Sequence, residues 1–253
     1  MKNLVPFFLI AILFLTQQGK AQSFTQDSAA LIVDNYTKLL NYDGIRSDSI
    51  LYIETTIVSD NQTDDTLIMR RWFLPPNNNR VEFWQKGKRQ TCFHSDGEKI
   101  FRKYDTTAHA WANATEDTYY MECSNYDYHG PLYKWNINGV ELFYKGTSTF
   151  EGTPIYVVHV EGPSHYDRNY FFEKSTGLLF FVQEFPTIEG KPMTAHGSQV
   201  DWRAIHEFTP FGNSVLPTQE SYQHQGIITV MKHTYKYLAP DKTIFKKDYP
   251  QKN

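Results

Sequence analysis

The chain has 253 residues, 40% hydrophobic and 16% aromatic, with Tyr 17, Phe 18 and Trp 5, so it can bury enough apolar area to offset its ordering entropy and is not disordered in the main. Lys and Arg number 25 against 28 Asp and Glu, a formal net charge of -3, which gives no electrostatic footprint for a nucleic-acid backbone. Two cysteines are too few for a disulfide-built scaffold or a four-cysteine zinc site.

Lys2 opens a segment whose apolar run, Leu4 to Leu15, is broken only by Pro6 and is followed by Gly19-Lys20-Ala21. A positive start, a run too short to span a bilayer, and small residues at Gly19 and Ala21 read as a signal peptide of residues 1–21, cut before Gln22. Residues 22–253 are expected to form one exported domain: soluble, periplasmic, monomeric, and with peripheral or no membrane contact.

Residues 27–40 carry Ala29, Ile32, Val33, Tyr36, Leu39 and Leu40 on one face at steps of three and four, which predicts a helix. Asn41-Tyr42-Asp43-Gly44 stops it. The period then changes to two. Ser49–Val58, Thr66–Leu74, Arg80–Gln85, Arg89–His94 and Glu98–Tyr104 read as five strands joined by short links, hence an antiparallel meander. Thr115-Glu116-Asp117 opens a short helix through Tyr119, Tyr120 and Cys123, and residues 125–138 read as a long loop with a helical turn. Strands resume at 139–149, 154–161, 166–173 and 178–185, and continue at about 196–208, 218–225 and 227–238. The expected fold class is mainly β (α+β): a single, highly curved antiparallel sheet of ten to twelve strands, an incomplete β-barrel covered by the N-terminal helix and a short helical insertion. A β-sandwich of the same strands is the alternative.

Several segments resemble the periplasmic lipoprotein-carrier fold (LolA/LolB-like), in particular outer-membrane lipoprotein-sorting-like proteins of Bacteroidetes. They are Leu39-Leu40-Asn41-Tyr42-Asp43-Gly44, the strand Met69 to Leu74 running through Pro75 into Asn79-Arg80-Val81-Glu82, and Ser95-Asp96-Gly97. Glu151 to Val158, Tyr170 to Leu178, and Gly212, Val215, Leu216, Pro217 and Phe245 complete the likeness, which spans about residues 27–250. The resemblance implies a curved sheet closed by helices around an apolar cavity for acyl chains, and a carrier rather than an enzyme. The chain departs from the family in the aromatic density of its middle: Trp111, Tyr119, Tyr120, Tyr126, Tyr128, Tyr133 and Trp135.

Nine histidines invite a metal reading, and His159, Glu161 and His165 come close together, as do His196, Asp201 and His206. No HExxH, C-x-x-C or clustered ligand spacing is present, so neither a metal nor a cofactor is expected. No Gly-x-Ser-x-Gly, paired-carboxylate spacing or Gly-x-Gly-x-x-Gly occurs, so no catalytic residue is assigned. Cys92 and Cys123 are read as two buried thiols, with a bridge between them as the open alternative.

The most informative pattern is large apolar groups on both sides of several strands. Alternation puts Arg70 and Trp72 on one face, Arg71 and Phe73 on the other, with Arg80, Glu82 and Trp84 sharing a face of the next strand. A sheet with one wet face would not do this. The expected ligand-binding residues are Trp72 and Trp84 as apolar wall, Arg70 and Arg80 for a charged headgroup, and Tyr119 and Tyr120 in a movable lid. The function expected is non-enzymatic binding or carriage of a lipid-like ligand. The alternatives are an envelope interaction module with a filled core and a protein partner, or a hydrolase.

Overall fold

The first described element is α1 (Gln26–Leu40). In this computed structural model the described residues are 26–60, 66–75, 78–96, 101–105, 110–113, 132–136, 139–162, 166–184, 187–188, 191–192, 201–224 and 226–246. The signal segment, Tyr119, Tyr120, Cys123 and the whole short helix expected around them lie outside these residues, as do His165 and His196.

Ala29, Val33, Tyr36 and Leu40 of α1 are buried, as the three-four spacing requires. Leu39, however, is 46% exposed, so the apolar face is narrower than the sequence implied. The helix stops where expected. Asn41 takes the left-handed conformation at φ 48°, and its amide hydrogen-bonds the Thr37 carbonyl. A 3₁₀ turn, Tyr42–Gly44, follows, and at Gly44 an added Cβ would lie 2.5 Å from Asn41 Nδ2. Asn41 Nδ2 donates to the Asn213 carbonyl at 2.7 Å and the Ser214 hydroxyl donates to the Asn41 carbonyl at 2.8 Å. These bonds tie the end of the helix to a distant hairpin.

Among the described residues fifteen strands follow: β1 (Ile50–Ser59), β2 (Leu67–Leu74), β3 (Asn78–Gln85), β4 (Lys88–Asp96), β5 (Phe101–Asp105), β6 (Ala110–Asn113), β7 (Glu141–Phe150), β8 (Thr153–Gly162), β9 (Tyr166–Glu173), β10 (Leu179–Glu184), β11 (Thr187–Ile188), β12 (Lys191–Pro192), β13 (Asp201–Phe211), β14 (Ser214–His224) and β15 (Ile227–Leu238). A second 3₁₀ turn, Lys242–Phe245, ends the described chain. Strands β11 and β12 form a small separate hairpin. The other 13 make one antiparallel sheet in the order β6-β5-β4-β3-β2-β1-β15-β14-β13-β10-β9-β8-β7.

This order corrects the expectation of a highly curved sheet closing toward a barrel. Among the described residues strands β6 and β7 are the two edges of this sheet and do not pair with each other, and the sheet is not strongly curled. Closure demands that the outermost strands meet with a fixed stagger. Here the first and last strands, β1 and β15, pair over Ile50–Ser59 at the middle of the sheet, and two wings extend from them. Hairpin signals in a sequence fix neighbours, but they carry no information on whether the ends of the ribbon meet.

Strands β13 and β14 run farther than the sequence suggested. The expected strands end at 208 and begin at 218, yet Phe208 pairs with Pro217 and Pro210 with Val215, beside two register shifts near Ile205 and Glu207. Bulges of this kind accommodate proline in a ladder. Gly212, at φ +60°, makes the tight turn between the two strands.

The main core lies between α1 and the β7–β10 and β13 wing, and contains Tyr36, Leu40, Leu142, Val158, Val160, Tyr170, Phe172, Val182 and Ile205. The Tyr36 and Phe172 rings meet edge to face at 5.3 Å. Phe172→Ala is expected to cost about 3–5 kcal/mol in urea unfolding, because its ring is fully buried. Leu39→Ala, at an exposed position of the same helix, is expected to change stability by less than about 0.5 kcal/mol.

Candidate functional site

Register divides the functional side chains between two faces of the sheet. Starting from Ile205, the pairs Ile205–Glu220, Glu220–Met231 and Met231–Ile57 carry the face beneath α1 across to β1. On β1 that face continues through Thr55, Ile53 and Leu51, opposite Met69, Arg71 and Phe73 of β2. The other face holds Tyr52, Glu54, Arg70, Trp72, Arg80, Glu82 and Trp84, since Tyr52 faces Trp72, Trp72 faces Arg80 and Arg70 faces Glu82.

Four of the six residues expected to bind ligand therefore do share one face. It is the face turned away from α1. Glu82 is the hub that organises them. It accepts from Arg80 Nε at 2.8 Å, Trp84 Nε1 at 2.9 Å and Arg89 Nη1 at 3.0 Å, and Arg80 Nη2 lies 2.6 Å away. Arg80 is fully buried, and its Nη1 also donates to the carbonyls of Ile244 and Lys246, fastening the C-terminal 3₁₀ turn over the sheet. Ile244 and Phe245 of that turn pack on Ile50 and Leu74, with Trp72 and Leu238 alongside. Arg70 lays its guanidinium over the Trp84 ring at 4.9 Å and donates to Glu54 at 3.1 Å. Glu54 also accepts from Tyr52 at 2.7 Å, and the Tyr52 ring meets Trp72 edge to face at 5.2 Å. The Tyr52 hydrogen bond, ahead of the burial that opposes it and the Arg70 bond, holds the Glu54 carboxyl below its usual range.

Cys92 lies on the same face, buried, with Sγ 4.0 Å from Glu82 Oε1. Burial pushes its thiol up to about 12. In the folded protein at pH 8 Cys92 is expected to stay silent toward a thiol reagent, and to react only in denaturant, as read by mass mapping.

The face beneath α1 carries a second polar cluster, one that the sequence reading missed. Arg203 of β13 donates from Nη2 to Glu220 of β14 at 2.7 Å. His233 of β15 places Nε2 3.7 Å from the other Glu220 oxygen, and its Nδ1 is 2.8 Å from the Thr55 hydroxyl. Burial would raise the Glu220 carboxyl, but Arg203 and then His233 overcome it and hold the group well below the usual 4.5. Tyr36 of α1 and Tyr170 of β9 neighbour Arg203, and burial pushes the Tyr36 phenol well up. Tyr235 donates to the Pro217 carbonyl. Its phenol, also raised mainly by burial, feels both Arg71 and Arg203. Arg203 lies deep among these neighbours, yet 36% of its side-chain area remains accessible. Its members come from three strands and a neighbouring one, and no local sequence signal brings them together.

Among the described residues no group of three or more His, Cys, Asp or Glu side chains could hold a metal ion, and no helix is long and apolar enough to cross a membrane. His159 instead bonds Glu161 at 2.8 Å and Asn169 at 3.0 Å, a surface network.

No family model matches the chain, and no curated protein matches it by sequence. Solved structures do. A LolA superfamily protein from Nitrosomonas europaea superposes with a TM-score of 0.61 at 11% identity, over 88% of this chain and 99% of that one. The fold is LolA-like. A putative outer membrane lipoprotein-sorting protein domain from Vibrio parahaemolyticus gives a TM-score of 0.60 at 9% identity, covering 88% of this chain and 98% of its own. A DUF1329 family protein from Desulfovibrio piger gives 0.59 at 9% identity, over 89% and 98%. At such identities the LolA-like fold is what is shared, and functional residues do not transfer with it.

Proposed function

We propose that this chain is a non-enzymatic binding or carrier protein of the cell envelope, exported by its N-terminal segment, with a lipid-like hydrophobic ligand. The observation that carries the reading is the LolA-like fold over nearly nine-tenths of the chain, shared with a protein described as lipoprotein-sorting. The face beneath α1 supports it. The helix packs on the β7 side of the sheet, and apolar side chains farther along that face, Ile57, Met231 and Phe83 among them, are only half-buried. A face that mixes half-covered apolar groups with a few charged ones is what an amphiphile requires. On this reading α1, rather than a closed barrel, borders the ligand. Trp72, Trp84 and Arg70 stand as the alternative surface on the opposite face, with Tyr119 and Tyr120 as its proposed lid, while Arg80 lies buried beneath the C-terminal turn. The finer assignment to the Bacteroidetes sorting type rests on the turn motifs of the sequence and belongs to the same proposal.

Native mass spectrometry of residues 22–253, purified without detergent, tests the reading. A co-purifying lipid-like mass that solvent extraction removes is the expected result. Protein at its bare mass that also fails to bind palmitate or monopalmitoylglycerol would overturn it. Loss of the adduct on a Trp72/Trp84 double replacement by glutamine, with the fold intact by circular dichroism, would assign the ligand to the face opposite α1.

A further inference from the structure

The chain is acidic overall, with a formal net charge of -3, yet part of one sheet face is basic. On the face turned away from α1, β15 presents Lys232, Thr234 and Lys236 in alternation, all exposed. The register sets Thr234 beside Glu54, and Glu54 beside Arg70. The C-terminal 3₁₀ turn lies over the same face, held by the Arg80 bonds and by the packing of Ile244 and Phe245 with Trp72 and Leu238. Its Lys242 and the Lys246 that caps it are exposed as well. We propose that this basic stripe docks the protein on an anionic bilayer surface, a peripheral contact on the side away from α1. The proposal goes beyond the carrier reading: it assigns a membrane contact, and it stands whether or not a ligand lies beneath α1.

Among the described residues none of the four lysines is in an ion pair. Lys232 stands in register between Gln219 and Thr56, both uncharged, and Lys236 holds its ammonium over the Tyr52 ring at 4.6 Å. Arg70 and the four lysines share the stripe with two acids, Glu54 and Asp241, and Asp241 is engaged in capping the Thr243 amide at 2.9 Å. Asp60 and Glu207 fall outside it. Asp60 bonds Ile228, four residues before Lys232, and Glu207 lies two strands across from Lys232. Those spacings, about 13 Å and about 10 Å, exceed the Debye length of about 8 Å in physiological salt. The layout of the cations selects the partner. A small anion needs donors that converge on one point. Here the cations are strung along β15 and the strap, over about 20 Å from Lys232 to Leu238, on a sheet that is not strongly curled. Such a layout fits a charged plane. Half-buried Tyr52 and Trp72 lie between the cations, and amphipathic rings of this kind settle at the headgroup level.

Flotation of residues 22–253 with vesicles of phosphatidylcholine, alone or mixed with phosphatidylglycerol, tests the contact. In low salt, binding to the anionic vesicles is expected to be at least about tenfold tighter than to phosphatidylcholine, because each lysine at a charged surface contributes about fivefold. It should vanish at about 1 M salt, where the Debye length falls to about 3 Å. K232E/K236E and K242E/K246E are each expected to lower binding at least about tenfold with an unchanged circular dichroism spectrum, since all four side chains are exposed. The two pairs lie on separate elements, so loss of the fold in one leaves the other to decide. K38E/K174E changes the net charge equally, on α1 and on the turn between β9 and β10, and should leave binding within about twofold. Equal binding to the two vesicle types, or an equal loss in K38E/K174E, would overturn the proposal. Retention on immobilised polyaspartate without vesicle binding would mean an acidic polypeptide partner and would overturn it too. None of these results bears on the carrier reading, which the co-purifying mass decides.

Discussion

Glu82→Gln is expected to lower the melting temperature by about 10 °C, the largest single effect of any substitution on the face turned away from α1. Glu82 is buried and serves three donors at once, on Arg80, Trp84 and Arg89. Glutamine keeps the shape but offers one acceptor oxygen and sets an NH₂ group against a guanidinium. The fully buried Arg80 then keeps its charge and loses its carboxylate. Removing one member of a buried pair typically costs about 3–5 kcal/mol, and in a chain of this size each kcal/mol moves the midpoint by about 2–4 °C. The control is Glu54→Gln. Glu54 and Arg70 are each about one-third exposed, so that pair is screened and its loss should cost no more than about 1 kcal/mol. A calorimetric scan of both variants checks the pair. Equal, small shifts would mean that the Glu82 network carries no net stability.

That network also shows how far the sequence could be read. Alternation put Arg80, Glu82 and Trp84 on one side of a strand and Arg70 with Trp72 on one side of the next, and the register agrees. It could not say whether those charges faced a ligand, water or one another. The deciding contact comes from Ile244 and Lys246, more than 160 residues away, whose carbonyls cover Arg80. Helix α1 and its stop at Asn41 were legible because three-four spacing and a left-handed turn former are local signals. The openness of the sheet was not, because it depends on β1 meeting β15 rather than on any hairpin. The Arg203–Glu220–His233 cluster draws its members from three strands, and only after pairing do they meet. Each alone reads as an ordinary polar residue in a strand with one wet face.

The pH behaviour of that cluster follows from the carboxylate at its centre. Arg203→Met is expected to destabilise the protein at pH 7 by about 3 kcal/mol, the low end for a broken buried pair because part of Arg203 reaches solvent. In the wild-type chain the folded Glu220 titrates below its usual 4.5, since Arg203 and His233 together outweigh burial. Its stabilising contribution is therefore complete above about pH 4.5 and is lost as pH falls through the folded value. Without Arg203 the balance reverses: burial, the largest influence on Glu220, is opposed by His233 alone, and the carboxyl moves up. A raised carboxyl destabilises the fold at neutral pH and stops doing so once protonated in both states. The stability difference between wild type and Arg203→Met should accordingly be greatest near pH 7 and shrink steadily toward pH 4. Urea unfolding at pH 7, 5.5 and 4 measures it. A difference that stays constant across that range would mean that Arg203 acts through packing, with no electrostatic hold on Glu220.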